Sequence, residues 1–281
     1  MIAVTGATGE LGQLVIDELL KQTAATEIVA VVRSAEKARG LAAKGVHLRE
    51  ADYNQPETLG AAFAGVDKVL LISSNEMGRR IAQHTAVINA AKAAGATLIA
   101  YTSLLHADTT PLVLAKEHVA TEQALQASGV PFVLLRNGWY TENFTPGIPP
   151  ALQQGAFIGA SRDGAYSAAA RADYAAAAAV VLTSAGHENQ TYELAGDTAF
   201  TRAQFAAEVS AQTGKNVGYH DLPPAEYARI LTAFLPAELA EILADAEAHA
   251  ANGALEDSSG TLSKLIGRDT TSLATVIAKA L

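Results

Sequence analysis

Through the first half of the chain, short β-branched apolar runs alternate with longer stretches whose apolar residues recur at helical spacing. The runs are Ile2–Val4, Ile28–Val32, Val46–Arg49, Lys68–Ile72, Thr97–Thr102 and Phe132–Leu135; between them lie Leu11–Lys21, Ala35–Lys44, Pro56–Phe63, Arg79–Ala94 and Leu112–Ser128. Strand, helix, strand at this spacing predicts βαβ units and a parallel sheet. Gly45, Gly65, Gly95 and Gly129 each stand between a helical stretch and the next strand, where a left-handed residue is wanted to end the helix. After Arg136 the rhythm changes. Residues 137–171 are rich in Gly, Pro, Asn and aromatics, and no long periodic helix runs through them. A helix from about Asp173 to Ala185, a strand at Gln190–Leu194, a helix at Arg202–Thr213 and an acidic helical tail from Pro223 to Ala250 follow. The pattern predicts an α/β fold in which a doubly wound parallel sheet occupies residues 1–137, with 172–196 returning to it. Residues 138–171 and 197–281 form a small, mostly helical lobe.

Composition narrows the chemistry. Of 281 residues 49% are hydrophobic, so a large core forms without staples, and there is no cysteine, which excludes disulfides, thiolate nucleophiles and thiolate metal sites. The formal net charge of -9 argues against nucleic acid and anionic membrane surfaces as partners. No apolar run approaches the roughly 20 residues of a membrane helix, and the N-terminus lacks a basic segment followed by an apolar one; the expectation is a soluble, cytoplasmic protein. The histidines are scattered without metal-ligand spacing, so no metal is expected. Oligomeric state is not readable.

The first strand runs into Thr5-Gly6-Ala7-Thr8-Gly9-Glu10-Leu11-Gly12, and the first helix follows. Gly6 suits a tight turn, Gly9 lets backbone approach a pyrophosphate at the helix N-terminus, and Gly12 lets helix and strand pack closely. Strand, glycine turn and helix together make this a Rossmann dinucleotide site. Gly6, Ala7, Thr8, Gly9, Glu10 and Leu11 are its expected contacts, with the amides of Thr8–Leu11 as donors. The second strand ends Val32-Arg33-Ser34, with Lys37 one turn on. An NAD site places an acid here for the ribose 2′-hydroxyl, whereas two cations suit a 2′-phosphate. NADPH is therefore the expected cofactor, with Glu36 the competing residue that could reach a ribose. Asp52 and Tyr53, after the third strand, stand where an adenine edge could lie. Ser73, Ser74 and Asn75, after the fourth, stand at the carboxyl end of the sheet, where ligands bind; they could equally cap the next helix.

The fifth strand ends Tyr101-Thr102-Ser103-Leu104-Leu105-His106, which resembles the short-chain dehydrogenase/reductase superfamily. There a Ser or Thr ends this strand and a Tyr-x-x-x-Lys pair follows on the next helix. Here Leu114 stands at the tyrosine position and His118 at the lysine position, and no tyrosine occurs between Tyr101 and Tyr140. Reducing an isolated ketone needs a proton as the hydride arrives. A quinone gives a delocalised hydroquinone anion that solvent can protonate. The missing phenol thus points to quinone-type acceptors or to no catalysis. His118 reads first as a core histidine, and Lys116 is left open.

The sixth strand leads into Leu135-Arg136-Asn137-Gly138-Trp139-Tyr140-Thr141-Glu142-Asn143-Phe144, which carries the only tryptophan. Flat side chains beside an amide suit a flat acceptor. Asp173 in Arg171-Ala172-Asp173-Tyr174 reads as a helix N-cap, and Tyr166 to Ala170 are candidates for pocket lining. These segments together, with Tyr-Glu-Leu-Ala-Gly-Asp near 192 and Thr-Leu-Ser-Lys-Leu-Ile-Gly near 261, resemble the NmrA-like branch of atypical short-chain reductases nearly end to end. The resemblance implies that Asn137, Gly138, Trp139, Tyr140, Thr141 and Glu142 pass the nicotinamide. It also implies flavin-free hydride transfer from NADPH to a small-molecule quinone, that is, an NAD(P)H:quinone oxidoreductase. Asn143, Tyr140 and His106 are the catalytic candidates. The alternative is a catalytically silent NADPH/NADP-sensing regulatory protein.

Overall fold

A computed structural model describes residues 1–281. In chain order the elements are β1 (Ile2–Val4), α1 (Glu10–Leu19), β2 (Ile28–Val32), α2 (Arg39–Ala42), β3 (His47–Glu50), α3 (Leu59–Phe63), β4 (Lys68–Leu71), α4 (Arg80–Ala93), β5 (Leu98–Leu104), α5 (Ala115–Ser128) and β6 (Phe132–Asn137). There follow α6 (Ile148–Gln154), β7 (Ala156–Gly159), β8 (Ala165–Tyr166), α7 (Arg171–Thr183), β9 (Gln190–Leu194), β10 (Phe200–Thr201), α8 (Arg202–Thr213), β11 (Gly218–Asp221), α9 (Pro224–Leu231), α10 (Ala237–Ala250), α11 (Thr261–Ile266) and α12 (Leu273–Ala280).

The chain divides into two compact units. The first holds 1–107, 116–137 and 171–192; the second holds 108–115, 138–170 and 193–281. The seven-stranded sheet has the order β3-β2-β1-β4-β5-β6-β9, and β1 to β6 pair in parallel. The order reverses between β1 and β4, the switch point where ligands of such sheets bind. β2 and β5 are buried along their whole length, as strands covered on both faces must be. The core of this unit centres on Val29, Phe63, Val69, Ile88, Ile99 and Tyr101. Gly45, Gly65, Gly95 and Gly129 all have φ between 70° and 85°, so each ends its helix in the conformation the pattern required.

Beyond shifts of a few residues at other element ends, three boundaries depart from the sequence expectation for a physical reason. The helix expected over Ala35–Lys44 shrinks to Arg39–Ala42, because the preceding loop bonds outward instead: the Ala35 amide donates to Glu50 Oε1 at 2.6 Å. The Pro223–Ala250 tail is two helices, α9 and α10, separated by a break that ends at Pro236, which has no amide to continue a helix. Helix α7 begins at Arg171, so Asp173 is not the N-cap. It lies fully buried in the first turn, where an acid complements the helix dipole.

The second unit has two small sheets, parallel β7–β11 and antiparallel β8–β10. Its centre is aromatic: Phe144 packs edge-on against Tyr166 and Phe200, with centroids 5.0 Å and 5.4 Å away. The Arg202 guanidinium lies 4.6 Å above the Phe144 ring, and Arg202 is itself ion-paired to the buried Glu247. No helix is long and apolar enough to cross a membrane.

Candidate functional site

The glycine turn is built by exclusion. Gly6 sits at φ 60°. A Cβ on Gly12 would lie 2.4 Å from the Gly6 carbonyl oxygen and 2.8 Å from Ala7 Cα. Both neighbours are backbone, so only glycine fits and α1 starts directly against the turn. Gly9 is the N-cap of α1 and no side chain caps the helix, which leaves first-turn amides for an anion. One expected donor is removed: the Gly9 amide closes the turn onto Gly6 O at 2.9 Å. Ala7 and Leu11 are buried and offer backbone only, while Gly6, Thr8, Gly9 and Glu10 are exposed. Glu10 pairs with Arg171 at 2.8 Å. Tyr53 lies against Thr5 and Gly6, and burial pushes its phenol up to about 12, so it stays a neutral hydrogen-bonding group.

Arg33 is 72% exposed and meets Glu76 Oε1 at 3.3 Å. Lys37 is exposed on the same connection. Glu36, the competitor for a ribose, is paired with Arg39 at 3.2 Å instead. Arg33 and Lys37 thus stand exposed beyond β2, while Arg33 and the neighbouring Arg39 each meet a carboxylate.

The segment after β4 is held amide by amide. The Ile72 N–H donates to Thr5 Oγ1 at 3.1 Å, Ser73 N–H to Thr102 Oγ1 at 2.9 Å, and Ser74 N–H to His84 Nε2 at 2.9 Å. Glu76 N–H donates to Ser74 Oγ at 3.1 Å and Gly78 N–H to Glu117 Oε1 at 3.0 Å. Arg80 Nε donates to the Ser74 carbonyl. Ser73 and Ser74 are half-buried and Asn75 is exposed. His84, Thr102 and Arg80 were not singled out from sequence. A histidine inside a helix carries no local sign of what it will touch.

The residues at the superfamily's acid–base positions are structural here. His118 is buried and its Nδ1 lies 2.8 Å from the Tyr101 hydroxyl. Burial holds its imidazole down to about 3, with Arg80 adding. Ser103 donates to Glu122 Oε1 at 2.6 Å, and Arg136 binds Glu122 through Nε at 2.9 Å and Nη2 at 2.7 Å. This buried fork ties β5, α5 and β6 together, so Ser103 is committed to a carboxylate. His106, just past β5, is half-buried at φ 53°, a conformation that costs a non-glycine residue about 1–2 kcal/mol.

In the second unit, Gly138 N–H donates to Leu194 O at 2.7 Å, Ala169 N–H to Trp139 O at 3.1 Å and Thr141 N–H to Ala169 O at 3.0 Å. Asn143 is exposed, Trp139, Tyr140 and Glu142 are half-buried, and Asn137 and Thr141 are buried. Phe144 does not join the flat side chains expected to meet an acceptor: it is 3% exposed, inside the aromatic core. Tyr166 to Ala170 are likewise buried, and Ala168 lines a cavity beside Phe200 and Asp197.

The NmrA-like family model matches residues 1–276. The chain belongs to the NmrA-like family. Quinone oxidoreductase 2 of Escherichia coli K12 is 56% identical over 275 residues, 98% of this chain and 96% of that protein. The crystal structure of the E. coli NADPH-dependent quinone oxidoreductase complexed with NADPH aligns with a TM-score of 0.97 at 55% identity, covering 99% of both chains. The Citrobacter sp. triphenylmethane reductase complexed with NADP(H) aligns with a TM-score of 0.96 at 41% identity over the whole of both chains. As an NmrA-like protein the chain shares an architecture that carries reductases, and at the lysine position of the Tyr-x-x-x-Lys pattern it places His118, buried against the Tyr101 hydroxyl.

Proposed function

We infer that this NmrA-like protein is an NADPH-dependent quinone oxidoreductase. The observation that carries the reading is the intact dinucleotide cradle in a chain that has lost the superfamily's phenol acid. The glycine turn leaves an uncapped helix N-terminus, Arg33 is the exposed cation at the end of β2, and Leu114 stands where the tyrosine would be. The relation to the E. coli quinone oxidoreductase supports the acceptor class.

NADPH supplies a hydride when bound. The chain's own part is to bind and orient it. The residues present fit the group. Gly12 admits no side chain, the α1 first turn offers amides, and the segment after β4 offers Ser73, Ser74 and Asn75 in a fixed backbone. We assign Arg33, with Lys37, to the 2′-phosphate and Asn137 to Glu142 to the nicotinamide end. Tyr140 and Asn143 are assigned to the acceptor, Asn143 as an amide donor to a quinone oxygen. His106 is a further candidate for proton delivery, held at φ 53°.

Anaerobic stopped-flow oxidation of NADPH by a small benzoquinone tests the reading. The expected result is a saturable rate above background, with weaker quinone saturation in Asn143→Ala. A rate equal to the uncatalysed background overturns it in favour of a cofactor-sensing protein.

A further inference from the structure

In the middle of the segment that follows β4, one backbone amide is held by an imidazole lone pair. His84, on α4, is 1% exposed. Its Nδ1 lies 2.9 Å from Thr121 Oγ1 on α5, and that hydroxyl donates to the Glu117 carbonyl, also at 2.9 Å. With its only hydrogen committed, the Thr121 hydroxyl accepts from His84, which places the proton on Nδ1 and leaves Nε2 bare. The bare Nε2 accepts from the Ser74 amide at 2.9 Å. Donor direction is thus fixed from Ser74 through to Glu117. The groups facing the ring are the Ser74 amide, Arg80 on its own helix, Tyr101 on β5, and His118 and Thr121 on α5. Burial and the Arg80 charge hold His84 down to about 3, so the acceptor is present throughout the neutral range.

We propose that His84 is a positioning residue for the dinucleotide: its Nε2 fixes the Ser74 amide and thereby the direction in which Ser73, Ser74 and Asn75 meet the cofactor. This rests on reading Ser73–Asn75 as cofactor contacts. Neighbouring amides have other holders, Thr5, Thr102 and Glu117, but Ser74 lies between them and is held at its amide by His84.

The test uses His84→Phe, which keeps the ring and removes the acceptor, and His84→Gln, whose amide oxygen can stand near Nε2. NADPH dissociation constants come from the fluorescence of the bound cofactor, and KM and kcat from quinone turnover. His84→Phe is expected to raise Kd and KM for NADPH about five- to tenfold, the consequence of an unpaired, half-buried amide worth about 1–1.4 kcal/mol, with kcat at saturating NADPH within about twofold. His84→Gln is expected to recover most of the loss. A KM for NADPH unchanged in His84→Phe, or raised equally in both variants, overturns the proposal, since packing alone would then account for the histidine. If His84→Phe does not fold, Thr121→Val decides. It frees the tautomer and is expected to weaken NADPH several-fold; unchanged affinity overturns the proposal. A wild-type protein that binds no NADPH defeats the functional reading itself, whereas normal wild-type binding with unaffected variants defeats only the role of His84.

Discussion

Replacing Gly12 by alanine tests the cradle most directly. The added methyl would sit 2.4 Å from Gly6 O, 2.8 Å from Ala7 Cα and 3.0 Å from Ala7 C. Ordinary carbon contacts are about 3.5–4.0 Å, and none of these neighbours is a side chain that can swing away. Helix α1 must therefore retreat from the turn. Over-packing of this kind costs about 1–3 kcal/mol, and the rigidity of both partners places this case near the upper end. Because the displaced groups are the turn and the first-turn amides, the cost falls on cofactor binding as well as folding. A displacement worth about 2–3 kcal/mol weakens NADPH by about thirty- to two-hundredfold. Gly60→Ala is the control. It lies inside α3, and its added methyl meets nothing within 4 Å, so it should gain up to about 1 kcal/mol from helix propensity. The assays are NADPH fluorescence titration and urea unfolding on both variants. Gly12→Ala with wild-type affinity and an unchanged urea midpoint would refute the steric reasoning.

Other consequences follow from the same geometry. Arg33→Met should weaken NADPH about ten- to hundredfold, as loss of a charged hydrogen bond does, while NADH changes little; equal effects on both cofactors would remove Arg33 from the 2′-phosphate. Glu76→Gln releases Arg33 from an exposed pair worth at most about 1 kcal/mol, so NADPH should tighten up to about fivefold, and the gain should vanish in the Arg33→Met background. Breaking the buried fork with Glu122→Gln should cost about 3–5 kcal/mol, read from chemical denaturation, and a loss below about 1 kcal/mol would contradict its burial. His84 and His118 are both held down to about 3, below the ordinary 6.5. The unfolded chain therefore takes up their protons first, and stability, full above pH 6.5, declines as pH falls toward 3 by about 1.4 kcal/mol per unit for each ring. Urea midpoints between pH 7 and pH 4.5 should show this slope reduced in His84→Gln; an identical slope in the variant would count against a buried neutral His84.

The strand and helix succession, the four helix-ending glycines and the dinucleotide turn are properties of local spacing, and they were legible because period, left-handed caps and glycine turns act over a few residues. Arg33 was legible for the same reason, being one residue beyond a strand. What the buried polar residues of β5 and α5 would meet was not: that Tyr101 would meet His118, and Ser103 a Glu122–Arg136 fork, depends on β5, α5 and β6 lying side by side, contacts separated by 14 to 19 residues. Phe144 read as a flat partner for a ligand because sequence gives the ring but not the face it turns inward, and the partners that bury it, Tyr166, Phe200 and Arg202, arrive from 22 or more residues away. Sequence alone thus pointed to a dinucleotide turn and, through Arg33 and Lys37, to a cofactor carrying a 2′-phosphate. Only the tertiary structure decided that the His84 imidazole accepts the Ser74 amide after β4 and that Phe144 turns into the aromatic core. Those facts come from atoms brought within contact by packing, and spacing along the chain does not encode them.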